Sequence, residues 1–283
     1  MPDETPSPDT GPASPAARLR ARYGGDTPLL PPPAWSAVVE AQLRHRSVRA
    51  YLPDPVPDDV LTTLVAAAQS AATSGNLQLW SVVAVRDADR RARLAALAGG
   101  QRHIEQAPLL LVWLADLARA RTIAAERTGE TAGADYLEST IVAFVDAALA
   151  AQNAALAAES LGLGTVYIGA LRNRPAEVAE ELGLPPHVVA VFGLVVGRPD
   201  PVHTTPVKPR LPQEVVLHRE RYSADGTAEQ LTGYDRLLTE FYADEGLAGS
   251  WAERVAARFG SVEGLHGRHL LREALQERGF PLR

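Results

Sequence analysis

The sequence predicts a mixed α and β fold of about four strands with helices on its faces, followed by a helical tail. Three features carry that prediction. Short apolar runs at 81–85, 109–114, 165–171 and 188–196 have the length of buried strands, and Gly197 closes the last. Between the first runs, apolar residues recur at helical spacing, as in Val60, Leu61, Leu64, Val65 and Ala68. Strand and helix do not alternate regularly enough for a parallel dinucleotide-binding sheet. The nearest glycine fingerprint, Gly162-Leu163-Gly164-Thr165-Val166-Tyr167, puts Tyr where the third Gly belongs. It also ends a helix and opens a strand, the reverse of the required context, and is rejected.

Residues 1–33 hold nine of the 22 prolines and are expected to form a largely disordered tail, with 18–23 as a short docking element. A short helix is expected from 35 to about 43. The turn Pro53-Asp54-Pro55-Val56-Pro57-Asp58-Asp59 opens the next helix, since Pro at a first helical position and acids in the first turn are entry signals. A strand at 81–85 is followed by an amphipathic helix at 87–97 closed by Gly99-Gly100, then by a buried strand at 109–114. The long central helix, 135–161, stops at Gly162 and Gly164. A strand at 165–171, a helix at 175–182 ended by Gly183 and a strand at 188–196 ended by Gly197 complete the core. Exposed helices follow at 227–243, 250–259 and 267–278. The expected organisation is a tail to residue 33, a core from 34 to 223 and a helical extension of the same domain from 224 to 283.

Composition narrows the function classes. The chain is 46% hydrophobic and 22% charged, as ordinary globular proteins are, and its 283 residues can bury a sizeable core. A formal net charge of −6 argues against a general nucleic-acid or membrane-surface binder, because both surfaces are anionic. The absence of cysteine removes disulfides, thiolate nucleophiles, zinc ribbons and iron–sulfur clusters together. The long apolar stretch at 137–161 is interrupted by Asp146, Gln152, Asn153 and Glu159, so it reads as a buried helix rather than a membrane span. Residues 1–30 lack the apolar segment of a secretory signal, and a cytoplasmic location is expected.

No Walker loop, nucleophile elbow or H-E-x-x-H occurs. His266 and His269 stand three apart without carboxylate or thiolate company, read as surface residues, and no metal is expected. Two basic clusters remain: His45-Arg46-Ser47-Val48-Arg49 and Lys208-Pro209-Arg210. Each charged hydrogen bond to a phosphate contributes roughly 1.5–3 kcal/mol, so four or five converging cations hold a phosphate ester firmly. Taken singly, each cluster fits a solvated basic surface better. Their company shifts that balance. Thr73-Ser74-Gly75-Asn76-Leu77-Gln78-Leu79-Trp80-Ser81 and Gly99-Gly100-Gln101-Arg102-His103 are polar, Gly-containing loops of the kind that bind ligands. Tyr167-Ile168-Gly169-Ala170 ends a strand with a Gly, where backbone amides can approach a ligand closely.

Together and in order, these segments resemble the nitroreductase superfamily, above all its oxygen-insensitive NADPH nitroreductases and NADPH–flavin oxidoreductases. The residues that carry the likeness are HRSVRAYLPDPVP (45–57), TSGNLQLWSVVAVRD (73–87), GGQRHIEQAP (99–108), DAALAAQNAALAAESLGLGTVYIGALRN (146–173) and FGLVVGRPD followed by KPRLPQEVVLHRERY (192–222). The resemblance implies an α+β fold with a central mixed, mainly antiparallel sheet flanked by helices, a domain-entwined homodimer, and one FMN per site at each subunit interface. Residue by residue, it assigns His45, Arg46 and Ser47 to phosphate and ribityl contacts, joined by Lys208 and Arg210. Arg49 falls near the pyrimidine edge of the flavin, where a fixed guanidinium stabilises the charge of the reduced form. Gln101 completes that edge, Thr73 and Ser74 belong to the loop that reaches the partner's flavin, and the strand end Tyr167, Ile168, Gly169 and Ala170 offers a backbone amide.

The activity implied is ping-pong, two-electron reduction of a small aromatic acceptor (a nitroaromatic, a quinone or free flavin) with NADPH or NADH as donor. The chemistry lies on FMN, which accounts for the lack of a nucleophile or acid–base pair and leaves no catalytic side chain to assign. One stretch departs from the family. In its NADPH-specific members a basic loop grips the nucleotide phosphates, whereas Tyr242-Ala243-Asp244-Glu245-Gly246-Leu247-Ala248-Gly249-Ser250 carries acids and no arginine. Acids repel a 2′-phosphate, so weak selection of NADPH is expected unless Arg254, Arg258 or Arg268 compensates. The alternatives to this reading are a specialised biosynthetic flavin oxidase or dehydrogenase of the same fold, and a flavin-binding protein without turnover. A non-flavin enzyme binding another phosphate ester is the remaining one.

Overall fold

The computed structural model describes residues 14–25 and 34–283. In chain order its main elements are α1 (Pro15–Tyr23), α2 (Ala37–Arg44), α3 (Asp58–Gln69), β1 (Trp80–Val85), α4 (Ala88–Leu97), α5 (Arg102–Gln106), β2 (Leu109–Asp116) and α6 (Ala118–Thr128). They continue with α7 (Leu137–Ser160), β3 (Gly164–Ile168), α8 (Pro175–Glu181), β4 (Val188–Gly197), α9 (Gln213–Val216), α10 (Thr227–Asp244), α11 (Trp251–Phe259) and α12 (Leu271–Glu277). Contacts divide the chain into two units, one of residues 1–45 and 207–256, the other of 46–206 and 257–283. The chain thus enters the smaller unit twice.

The larger unit is built on a four-stranded sheet in the order β1-β2-β4-β3, every neighbouring pair antiparallel. Ser47 adds an isolated parallel bridge to Thr165, the mixed element of an otherwise antiparallel sheet. β2 is buried at every position because both faces of the sheet are covered. Its alternating side chains separate into two clusters. Leu109, Leu111, Trp113 and Ala115 join the core that contains the alanines of α7, whereas Leu110, Val112 and Leu114 join the core beneath α4 and α8.

α7 meets the sheet through alanine. Ala143, Ala147, Ala150, Ala151, Ala154 and Ala158 are fully buried, which lets the helix backbone come close to the strands. Its length and apolarity would suffice to cross a membrane, but this alanine face is packed in the core. The opposite face carries Leu137, Ile141, Val145 and Leu149 at strict four-residue spacing, each 44–50% exposed.

Most of the expected elements form, with small shifts in their ends. The strand expected at 165–171 stops at Ile168, and residues 169–173 turn into a short 3₁₀ helix. Ala170 and Leu171 are both buried within that turn. The helix expected at 267–278 is a 3₁₀ turn at 268–270 followed by α12. The expected loop at 99–103 ends in the short helix α5, and α6 was not expected at all.

The smaller unit contains α1, α2, α9 and α10. Within the expected tail, residues 15–23 form α1, with Ser14 as N-cap and Pro15 in the first turn, a strong local start signal. The rest of that expected tail, 1–13 and 26–33, lies outside the described residues. Tyr234, Leu238 and Tyr242 of α10 form the unit's own core, with Trp251 packed edge-on against Tyr234.

Candidate functional site

In the larger unit the segment after residue 45 is threaded along the sheet. The Val48 amide donates to the Thr165 carbonyl at 2.9 Å, and the Leu52 amide to the Arg198 carbonyl at 2.9 Å. Val48 is buried against Gly164, where an added Cβ would stand 2.7 Å from a Val48 methyl. These bonds fix Ser47 beside β3 and leave the side chains of Arg46 and Arg49 exposed. Tyr51 turns inward and donates its hydroxyl to the Val48 carbonyl at 2.6 Å. Burial, with Glu159 adding to it and Arg49 opposing it, raises the Tyr51 pKa well above the ordinary phenol value, so it stays a neutral donor.

Arg49 opens onto a cavity of about 640 Å³, whose lining includes Tyr51, Pro53, Arg102, His103, Gln106 and His203. That volume lies within the range of cofactor sites. His103 Nε2 is buried without a hydrogen-bond partner. Burial first, and the Arg49 charge second, push the His103 pKa below its ordinary value, so the ring is neutral and has an unused nitrogen. Gln101 sits at the start of α5, and its Nε2 donates to the Ala98 carbonyl at 3.0 Å. An open cavity lined by the Arg49 cation and by His103 and Gln106 suits an anionic, hydrogen-bonding heterocycle.

The loop after α3 is held from beneath. Asp146, 1% exposed on α7, accepts the Ser74 amide at 3.2 Å and the Leu79 amide at 3.0 Å. Gly75, Asn76 and Gln78 adopt left-handed backbone, and Leu77 is pushed outward to 60% exposure. Thr73 Oγ1 is buried without a partner. On β3, Tyr167 packs edge-on against Phe192 at 5.2 Å, and its hydroxyl reaches Gln152 Oε1 at 3.4 Å. Ile168 and Ala170 are buried, and Gly169 lies over the Arg172 guanidinium, 3.4 Å from where a Cβ would stand.

The smaller unit holds the remaining basic residues together. Lys208 and His45 are both half-buried, and the Arg210 side chain donates to the Lys208 carbonyl at 3.0 Å. The Lys208 ammonium lies 5.4 Å from the Tyr242 ring and 5.9 Å from that of Phe241. Of the arginines expected to compensate for the acidic stretch, Arg254 covers Tyr242 at 4.1 Å and donates to the Ala248 carbonyl at 3.0 Å. Arg258 and Arg268 belong to the larger unit and gather with Arg172. Burial, then the neighbouring guanidinium charges, lowers the pKa of Arg172 and of Arg268. Sequence reasoning gave His103 no role beyond its loop and missed Arg172 and the anchoring role of Asp146; the charged Asp146 inside an apolar helix was the visible signal for the last.

Comparison with known proteins identifies the family. The nitroreductase family profile matches residues 43–198, and the profile of the family's C-terminal domain matches 208–283. An FMN reductase of Bacillus subtilis, named as using NAD(P)H, is 40% identical over 253 residues, covering 86% of this chain and 97% of that protein. The oxygen-insensitive NADPH nitroreductase of Salmonella typhimurium is 39% identical, covering 75% of this chain and 85% of its own. Among solved structures, the NADPH:FMN oxidoreductase of Vibrio harveyi complexed with NAD+ superposes with a TM-score of 0.78 at 35% identity, over 88% of this chain and 100% of that one.

Proposed function

The chain belongs to the nitroreductase family and is an FMN-dependent NAD(P)H oxidoreductase of the flavin- and nitro-reducing type, and we propose that it works as a soluble, cytoplasmic homodimer with ping-pong kinetics. The observation that carries the reading is the cavity lined by Arg49, Tyr51, Arg102 and His103. Bound FMN would supply the two-electron chemistry there. The protein's part is to hold, orient and charge-match the cofactor. In this reading Arg49 and Gln101 address the flavin ring, Gly169 and Ala170 offer backbone amides, and Arg46 and Ser47 contact the ribityl phosphate. Within the smaller unit, His45, Lys208 and Arg210 offer cations to a phosphate.

The exposed stripe Leu137, Ile141, Val145 and Leu149 supports the dimer, because four aligned aliphatic side chains at this exposure favour a partner over water. The outward Leu77 fits a loop that completes a neighbouring subunit's site. Initial rates measured with NADH or NADPH against a nitroaromatic and a quinone test the reading. Parallel double-reciprocal lines for each pair are expected, and intersecting lines would contradict the two-stage scheme.

A further inference from the structure

The helix upstream of the family match carries an arginine bonded to the backbone of each phosphate-site residue in its own unit. Arg22, near the end of α1, is 5% exposed. Its Nη2 donates to the Leu43 and His45 carbonyls, each at 2.8 Å, and its Nη1 donates to the Lys208 carbonyl at 3.0 Å. The Arg22 carbonyl in turn accepts the Arg210 amide at 2.8 Å. One residue therefore touches the main chain at His45, Lys208 and Arg210, although 186 positions separate Arg22 from Lys208. The planar guanidinium can do this because its five N–H donors diverge in a fixed fork.

We infer that Arg22 is a positioning residue for phosphate recognition, delivered by α1 and fixing the backbone from which His45, Lys208 and Arg210 reach the phosphate of FMN. The inference rests on the reading that these three residues hold that phosphate. α1 is built to present the side chain: Ser14 caps its start, and Arg18 pairs with Glu40 of α2 at 3.6 Å. The family profile begins at residue 43, so Arg22 lies outside the part of the chain that the profile describes. Lys208 receives a second constraint from Arg210, whose Nη1 donates to the same carbonyl at 3.0 Å. A mobile Lys or Arg must lose rotamer and backbone freedom when it grips an anion. A backbone already fixed reduces that loss and raises affinity for the anion alone.

The test compares FMN with riboflavin, which lacks the phosphate. Dissociation constants for both are measured by quenching of flavin fluorescence on the full chain, as wild type, Arg22→Met and Arg22→Lys, with melting temperatures alongside. The expected result is that Arg22→Met weakens FMN binding about tenfold, as loss of an ordered charged contact implies, and changes riboflavin binding less than about twofold. Arg22→Lys should recover part of the loss. If the Met variant does not fold, the Lys variant gives the same comparison, since an ammonium cannot reproduce the fork. FMN binding that is unchanged, or that falls in step with riboflavin, overturns the positioning role while leaving the flavin reading standing. A wild-type protein that binds neither flavin would instead remove the reading on which the inference rests.

Discussion

Asp146 holds Ser74: the carboxylate in the middle of the apolar α7 accepts the Ser74 amide at 3.2 Å and, through its second oxygen, the Leu79 amide at 3.0 Å. Both bonds need an acceptor-only group, because each partner is a backbone donor. Asp146→Asn turns one of those oxygens into an N–H donor facing another donor. It should cost about 1–3 kcal/mol of stability, the usual penalty for a buried donor left unsatisfied. Urea unfolding of the variant measures this, and an unchanged midpoint would remove Asp146 as the anchor of the 73–79 loop.

Gly164 sets how closely the Arg46–Arg49 segment can lie on β3. A Cβ at Gly164 would meet Val48 at 2.7 Å, with two further Val48 atoms within 2.9 Å. Gly164→Ala should therefore force Val48 outward, cost about 1–3 kcal/mol as overpacking does, and weaken FMN binding through Ser47 and Arg49. Gly164→Ala combined with Val48→Ala should restore both. Denaturation and flavin titration of the single and double variants check the pair.

His103 predicts a pH dependence. Its folded pKa lies below the ordinary 6.5 because burial and Arg49 both oppose its charge. The unfolded chain then binds the proton more readily than the folded one. This contribution is absent well above pH 6.5, and stability falls as the pH drops through 6.5 toward the lower folded value. The slope of stability against pH between about 7 and 5 should be shallower in His103→Gln than in the wild type. Equal slopes would mean that His103 titrates as it does in the unfolded chain.

The dimer prediction concerns α7. Ile141→Glu with Val145→Glu places two charges in the exposed aliphatic stripe, and burying unpaired charges costs several kcal/mol. Light scattering should show monomers, and flavin should be lost with them. A variant that remains dimeric and keeps its flavin would move the interface elsewhere.

Donor choice rests on arginines that the acidic 242–250 stretch lacks. Arg254 is packed on Tyr242, and Arg258 and Arg268, gathered with Arg172, bond the Gly264 carbonyl at 2.7 Å and Asn173 Oδ1 at 2.8 Å, so none is free to single out a 2′-phosphate strongly. The KM values for NADPH and NADH should differ by less than about tenfold, or 1.4 kcal/mol. A strong wild-type selection of NADPH would show that the acids do not reach the donor.

How much of this was legible in the sequence depended on the kind of signal. β2 and β4 were visible because a strand covered on both faces is an unbroken apolar run, and α7 because its run was too long for a strand. α6 was not, since Ala118–Thr128 is mostly Ala, Arg and Thr with little apolar face and buries no residue. The proline content around α1 concealed a Ser14-Pro15 helix start that local capping rules can find. In the site, Arg49, Gln101 and the 73–74 loop could be named only through the family resemblance. The tie between Arg22 and Lys208, and the orphaned His103 nitrogen, could not, because both depend on segments that only the folded chain brings together.

The central claim is tested most directly by the visible absorption spectrum of the purified protein reconstituted with FMN, recorded anaerobically before and after NADH or NADPH is added. The account predicts bound-flavin bands that bleach with either donor and return when a quinone or nitroaromatic is admitted. A protein that takes up no FMN, or whose bound flavin neither donor can reduce, would contradict it.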